Sequence, residues 1–73
     1  MKFLVVGLGS MGKRRLRRLK ALGYQMNDIS GFDFRENRRQ EATSTYGIDT
    51  FADFSEALKQ INPDALIISV PPD

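Results

Sequence analysis

Four short apolar runs alternate with three longer polar stretches along the chain. Phe3-Leu4-Val5-Val6 is apolar at every position and ends in β-branched residues. Continuous rather than alternating apolarity predicts a strand buried on both faces, as in a parallel sheet. Gly7-Leu8-Gly9-Ser10-Met11-Gly12 follows, and from Ser10 or Met11 to Leu22 the residues predict a helix. Its apolar stripe is Met11, Leu16, Leu19 and Leu22, with basic residues on the other faces. Gly23 stands where a left-handed C-terminal glycine belongs. Asp28–Asp33 reads as a second strand, weakened by Ser30 and Gly31. Residues 36–46 predict a polar helix with little apolar surface beyond Ala42 and Tyr46, closed by Gly47. Ile48–Phe51 reads as a short third strand. Asp53, with Glu56 three residues on, predicts a capping box opening a helix with Phe54, Ala57, Leu58 and Ile61 on one face. After Pro63-Asp64, Ala65–Val70 reads as a fourth, buried strand that Pro71-Pro72 stops, since proline cannot donate to a ladder.

The order β-α-β-α-β-α-β, with no long linker or repeat, implies an α/β fold with a parallel sheet. Right-handed crossovers leave few arrangements. The expected one is a Rossmann-like three-layer α/β/α domain with strand order 3-2-1-4. The first two helices then lie on one face and the third on the other. Strands one and four become neighbours across the switch point, where ligands bind. Residues 1–73 are expected to form the N-terminal part of a doubly wound dinucleotide-binding domain, without a substrate domain. A chain of 73 residues buries only about 60% of its unfolded surface, so marginal stability is expected. The fourth strand would leave an apolar edge, a template for self-association.

Composition narrows the chemistry. There are no cysteines and no histidines, which removes thiolate metal sites, the usual general base and the commonest metal ligand. No metal site and no catalytic residue is expected. The net charge is +2, yet six of the eleven basic residues lie between Lys13 and Lys20, so the rest is net acidic. Asp49, Asp53 and Asp64 stand at turns, where capping is their expected role. No run approaches the roughly 20 apolar residues of a membrane span. Lys2 and the apolar run after it lack a cleavage site, so a signal peptide is not expected. The chain reads as cytoplasmic.

The glycine turn carries the candidate chemistry. Gly7 allows the tight turn off the strand, Gly9 lets the backbone approach a pyrophosphate, and Gly12 lets the helix pack close to the sheet. The anion then faces free N–H groups and the positive end of the helix dipole. Asp33, 21 residues after Gly12, can accept hydrogen bonds from adenosine ribose hydroxyls. A carboxylate there would repel a 2′-phosphate, which favours NAD. Arg35, with Arg38 and Arg39 nearby, could instead receive that phosphate, so NADP stays open. For Arg38 and Arg39 a solvated helix face is the favoured reading. The basic helix admits a nucleic-acid reading. It lacks interleaved aromatics, however, and solvated side chains whose stems cover apolar surface are favoured. Arg14 or Arg15 could assist the cofactor phosphates.

GLGSMGKRRLRRLKALGY, GFDFRENR and the apolar strand running into two prolines, ALIISVPPD, together resemble the glucose–fructose oxidoreductase, inositol dehydrogenase and rhizopine-catabolism family, Gfo/Idh/MocA. The resemblance spans the whole chain in order. It implies an NAD(P)-dependent oxidoreductase acting mostly on sugars, polyols and related carbonyl compounds. It implies that Gly7, Gly9 and Gly12 hold the pyrophosphate, with Leu8, Ser10 and Met11 lining the same loop. Asp33 would hold the adenosine ribose and Arg35 flank the adenine. Val70, Pro71 and Pro72 would pass close to the nicotinamide half. In that family a histidine after the prolines, a Glu-Lys-Pro segment and a second α/β domain complete the substrate site. None falls within these residues, so the expectation is the cofactor-binding piece of such an enzyme, binding weakly and not catalytic alone. The alternatives are a non-enzymatic dinucleotide-binding module or sensor, and a basic nucleic-acid-binding fragment.

Overall fold

The computed structural model describes residues 1–70. Four strands, β1 (Phe3–Val6), β2 (Ile29–Phe32), β3 (Asp49–Phe51) and β4 (Ala65–Ile68), form one sheet. All neighbours are parallel, and the order is β3-β2-β1-β4. Three helices, α1 (Ser10–Ala21), α2 (Glu36–Tyr46) and α3 (Phe54–Ile61), join them, with one 3-10 turn at Met26–Asp28. This is the α/β Rossmann-like arrangement that the alternation predicts. No helix among the described residues is long and apolar enough to cross a membrane.

Side chains alternate across the sheet and so divide the core in two. Phe3, Val5 and Ile29 meet Leu16 and Leu19 of α1 and Ala42 of α2 on one face. Leu4 and Phe32 meet Ala57 of α3 on the other. β1 is central, which is why Leu4 and Val5 are fully buried and why its sequence is apolar throughout.

The stripe on α1 differs from its expected form. Gly12, Leu16 and Leu19 are buried, at i, i+4 and i+7, while Met11 and Leu22 are exposed. Glycine is the first residue of the stripe because the helix axis comes so close to the turn. At its far end Tyr24 N–H donates to Leu19 O and Gly23 N–H to Lys20 O, a Schellman closure. Tyr24 then meets the Phe3 ring edge-on at 4.8 Å. α2 has almost no apolar face, as its sequence implies, and polar ties hold it instead. Lys13 pairs with Glu41, and Thr43 Oγ1 donates to Ile48 O at 3.1 Å.

Three further expectations need correction. The capping box at α3 does not close: Asp53 accepts from Ser55 N at 3.0 Å, but Glu56 accepts from the Gln60 side chain instead. Asp49 is not a turn cap but the first residue of β3. β4 is not a buried strand: Ala65 and Ile67 pack against the α1 side, whereas Leu66 and Ile68 are exposed. The reason is the placement of α3, which lies over β2 and β3, reaches Leu4 of β1 and leaves β4 uncovered on that face. Asp64 behaves as expected, its Oδ2 accepting from Lys2 N at 2.7 Å. The stop assigned to Pro71-Pro72 lies outside the described residues.

Candidate functional site

Every element with candidate chemistry converges at the carboxyl ends of β1, β2 and β4. In a parallel sheet the loops leaving neighbouring strands meet at that end, and the crevice opens where the order reverses, here between β1 and β4. The glycine turn leaves β1 and is fixed from both sides. Gly7 N–H donates to Phe32 O at 2.8 Å, and Ser69 N–H donates to Val6 O at 2.7 Å.

Two glycines here are required by geometry. Gly7 has φ +98°, a left-handed value, and a Cβ there would lie 3.0 Å from Ser69 O. A Cβ on Gly12 would lie 1.9 Å from Gly7 O, so α1 packs directly against the turn that precedes it. Gly9 is different. Its φ of −75° suits any residue, and a Cβ would meet only the end of the Arg38 side chain, 3.1 Å away. Its lack of a side chain leaves room at the mouth of the turn for the Arg38 guanidinium, which borders it.

The N-terminus of α1 has no side-chain cap, and its first turn holds no acidic residue. The leading N–H groups of a helix lack intrahelical partners, and with no capping group they remain available to an anion, favoured further by the helix dipole. The adjoining hollow, about 130 Å³, is lined by Gly7, Gly9, Ser10 and Met11 from the turn, Ser69 and Val70 from the end of β4, and Arg38 from α2. A second hollow of about 200 Å³ lies beside it against Asp33, Phe34 and Arg35, sharing Gly7, Arg38 and Val70. Through those shared residues the two adjoin as one cradle. A hollow of about 380 Å³ lies elsewhere, along α2 against Thr50, and takes in no residue of the glycine turn.

Asp33 is buried at the corner of the cradle. Its Oδ2 accepts from Leu8 N at 2.9 Å and its Oδ1 from Arg35 N at 2.9 Å. The carboxylate therefore ties the glycine turn to the β2–α2 loop, and each oxygen retains accepting capacity for a ligand. The Arg38 guanidinium lies 3.7 Å from Oδ2.

Among the residues expected to serve the site, Gly7, Gly9, Ser10, Met11, Asp33, Arg35 and Val70 do border the cradle. Gly12 stands behind the turn as its packing contact. Leu8 does not line the loop with its side chain. That side chain is fully buried over Gly31, whose Cβ would stand 2.7 Å from it, and Leu8 contributes only its N–H. The same contact explains the glycine that weakens β2 in the sequence. Pro71 and Pro72 lie outside the described residues.

Arg38 and Arg39 are not a solvated face. Arg38 crosses the cradle from Asp33 to Gly9, and Arg39 Nη1 donates to Asp33 O at 2.8 Å and Phe34 O at 2.9 Å, holding the loop. The available signal was their place in the first turns of a helix that starts beside Asp33. Ser69, which borders the cradle, was missed as well, although a lone hydroxyl within the apolar run 65–70 marked it. Arg14 and Arg15 border a separate hollow with Met11 and Arg18 and do not line the cradle.

A family model described as "Oxidoreductase family, NAD-binding Rossmann fold" matches residues 1–73. No curated protein and no solved structure gave a significant match.

Proposed function

The chain belongs to the GFO_IDH_MocA oxidoreductase family, with its NAD-binding Rossmann fold, and from that premise we propose that the cradle holds the adenosine and pyrophosphate half of NAD. The observation that carries this reading is the pairing of an uncapped α1 N-terminus with a buried carboxylate at the end of β2. The residues suit the group: Gly9 leaves a space that a side chain would fill, the leading N–H groups suit a pyrophosphate, and Asp33 retains lone pairs for ribose hydroxyls. Gly7, Gly9, Ser10 and Met11 would border the pyrophosphate, Asp33 the ribose, and Arg35 the adenine side. Val70, Pro71 and Pro72 would run toward the nicotinamide half.

When bound, NAD supplies hydride transfer, and the substrates proposed are sugars, polyols and related carbonyl compounds, handled in the cytoplasm. The residues of this chain position the cofactor rather than move protons. We therefore propose that the chain alone binds NAD weakly and without catalysis. Asp33 also sets the preference. A 2′-phosphate beside it would place like charges together, although Arg35 and Arg38 border the same corner. Calorimetric titration is expected to give tighter binding of NAD than of NADP, by about tenfold, the scale of one lost hydrogen bond to a charged group. Equal or tighter NADP binding would reverse the cofactor preference. Binding of duplex DNA with a steep salt dependence, and of neither nucleotide, would replace the reading with the nucleic-acid one.

The outer edge of β4 and its exposed Leu66 and Ile68 support self-association between two copies through that strand. Sedimentation velocity should show a concentration-dependent dimer that the double substitution Leu66→Lys, Ile68→Lys abolishes. A monomer at all concentrations would overturn it.

A further inference from the structure

One polar group in the cradle has no assigned partner. Ser69 follows β4, and only 3% of the residue is exposed. Its Oγ is the buried side-chain polar atom without a hydrogen-bond partner among the described residues. The main chain there is engaged, with Ser69 N–H on Val6 O and Ser69 O packed against Gly7. The hydroxyl is thus the part left over. Counting by twos from Ala65 and Ile67, which pack on the α1 side, places Ser69 on that same face. It borders the same hollow as Gly9 and Ser10, at the uncapped start of α1.

An unpartnered buried hydroxyl is a standing cost to a fold, and alanine would fill the position better if packing alone mattered. Its location points to the partner. The hollow offers N–H donors and guanidinium donors, a lining suited to an acceptor-only anion, and a hydroxyl adds one more donor. We propose that Ser69 is a cofactor-binding residue whose hydroxyl donates to a phosphate oxygen of the dinucleotide pyrophosphate at the N-terminus of α1. The proposal rests on the dinucleotide reading above and adds a residue to it.

The test compares Ser69→Ala with the natural chain by calorimetric titration of NAD and of ADP, and by the melting temperature without nucleotide. The expected result is a Kd about tenfold higher for both nucleotides, the scale of one hydrogen bond to a charged group. The melting temperature should stay the same or rise, because no intramolecular bond is lost. Unchanged affinity for both nucleotides overturns the proposal, and so does weakening toward NAD alone, which would move Ser69 to the nicotinamide side. A clear drop in melting temperature also overturns it, since the hydroxyl would then have a partner within the fold. If the natural chain binds neither nucleotide, the dinucleotide reading itself fails. Equal binding by both proteins removes only the role of Ser69.

Discussion

Gly12→Ala is expected to destabilise the chain, whereas Gly9→Ala, three residues away in the same motif, is expected to leave the fold intact and weaken nucleotide binding. At Gly12 two effects oppose each other. Alanine gains up to about 1 kcal/mol of helix propensity over glycine. Its Cβ, however, would stand 1.9 Å from Gly7 O, a backbone atom in a turn pinned on both sides by Phe32 O and the β1–β4 ladder. Neither partner can turn aside, so α1 must lift from the sheet and loosen Leu16 and Leu19. Overpacking of this kind costs about 1–3 kcal/mol and occasionally more, so the clash wins. For a domain of this size, about 2 kcal/mol net corresponds to roughly 10 °C in melting temperature. At Gly9 the backbone is ordinary, and the nearest atoms belong to the mobile end of Arg38. The melting temperature should change little there, while the methyl group fills the mouth of the turn. Circular dichroism melts with calorimetric titration of NAD separate the two. Equal melting temperatures for both variants would contradict the packing role of Gly12.

Asp33→Ala is the second large effect, and it should strike stability and binding together. The substitution removes both backbone ties. Arg35 N belongs to an exposed residue and can turn to water, but the bond from Leu8 N is buried. A buried donor left without a partner costs about 1–3 kcal/mol, so a fall of roughly 10 °C in melting temperature is expected. Arg38 also loses its carboxylate. Asp33→Asn refines the test. Its single carbonyl oxygen can keep one tie, while its NH₂ group faces a second N–H donor, so an intermediate loss of stability is expected. Removing the charge also removes the repulsion toward a 2′-phosphate. The preference for NAD over NADP should therefore shrink for Asp33→Asn even where overall affinity falls. A variant as stable as the natural chain would contradict the tie, and an unchanged nucleotide preference would contradict the ribose role.

The parts of the fold legible in the sequence are those where local pattern and global packing agree. The continuous run Phe3–Val6 marked the central strand, and strict alternation with helices led to the order β3-β2-β1-β4. The misses have a common physical origin, since each depends on which neighbour covers a residue. Leu66 and Ile68 are as apolar as Leu4 and Val5, yet they are exposed because α3 spans β2 and β3 rather than β4. Met11 and Leu22 fall near helical spacing, but the stripe begins one residue later, at Gly12, where a missing side chain admits the turn. Leu8 sits in the middle of the glycine motif and looks like part of the site, although it is the plug over Gly31.

The candidate site shows the same division. Gly7, Gly9, Gly12 and Asp33 were legible because motif spacing reflects backbone requirements. Arg38, Arg39 and Ser69 were not, because a charged residue on a helix or a serine at a strand end has many uses. Only the meeting of α2 and β4 at the glycine turn selects one of them. In energetic terms the cradle is built from backbone geometry and one clamping carboxylate, with arginines placed over it by a helix that has little core of its own.

The most direct test of the central claim is a residue-resolved titration of the ¹⁵N-labelled chain with NAD, following backbone amide shifts by NMR. The account predicts saturable shifts at Gly9, Ser10, Met11 and Gly12, with accompanying changes at Leu8, Asp33 and Arg35. The stretch of α2 from Gln40 to Ser44 should stay still. Shifts confined to Arg14, Arg15 and Arg18, shifts at that stretch of α2, or none at all would contradict a dinucleotide site at this turn.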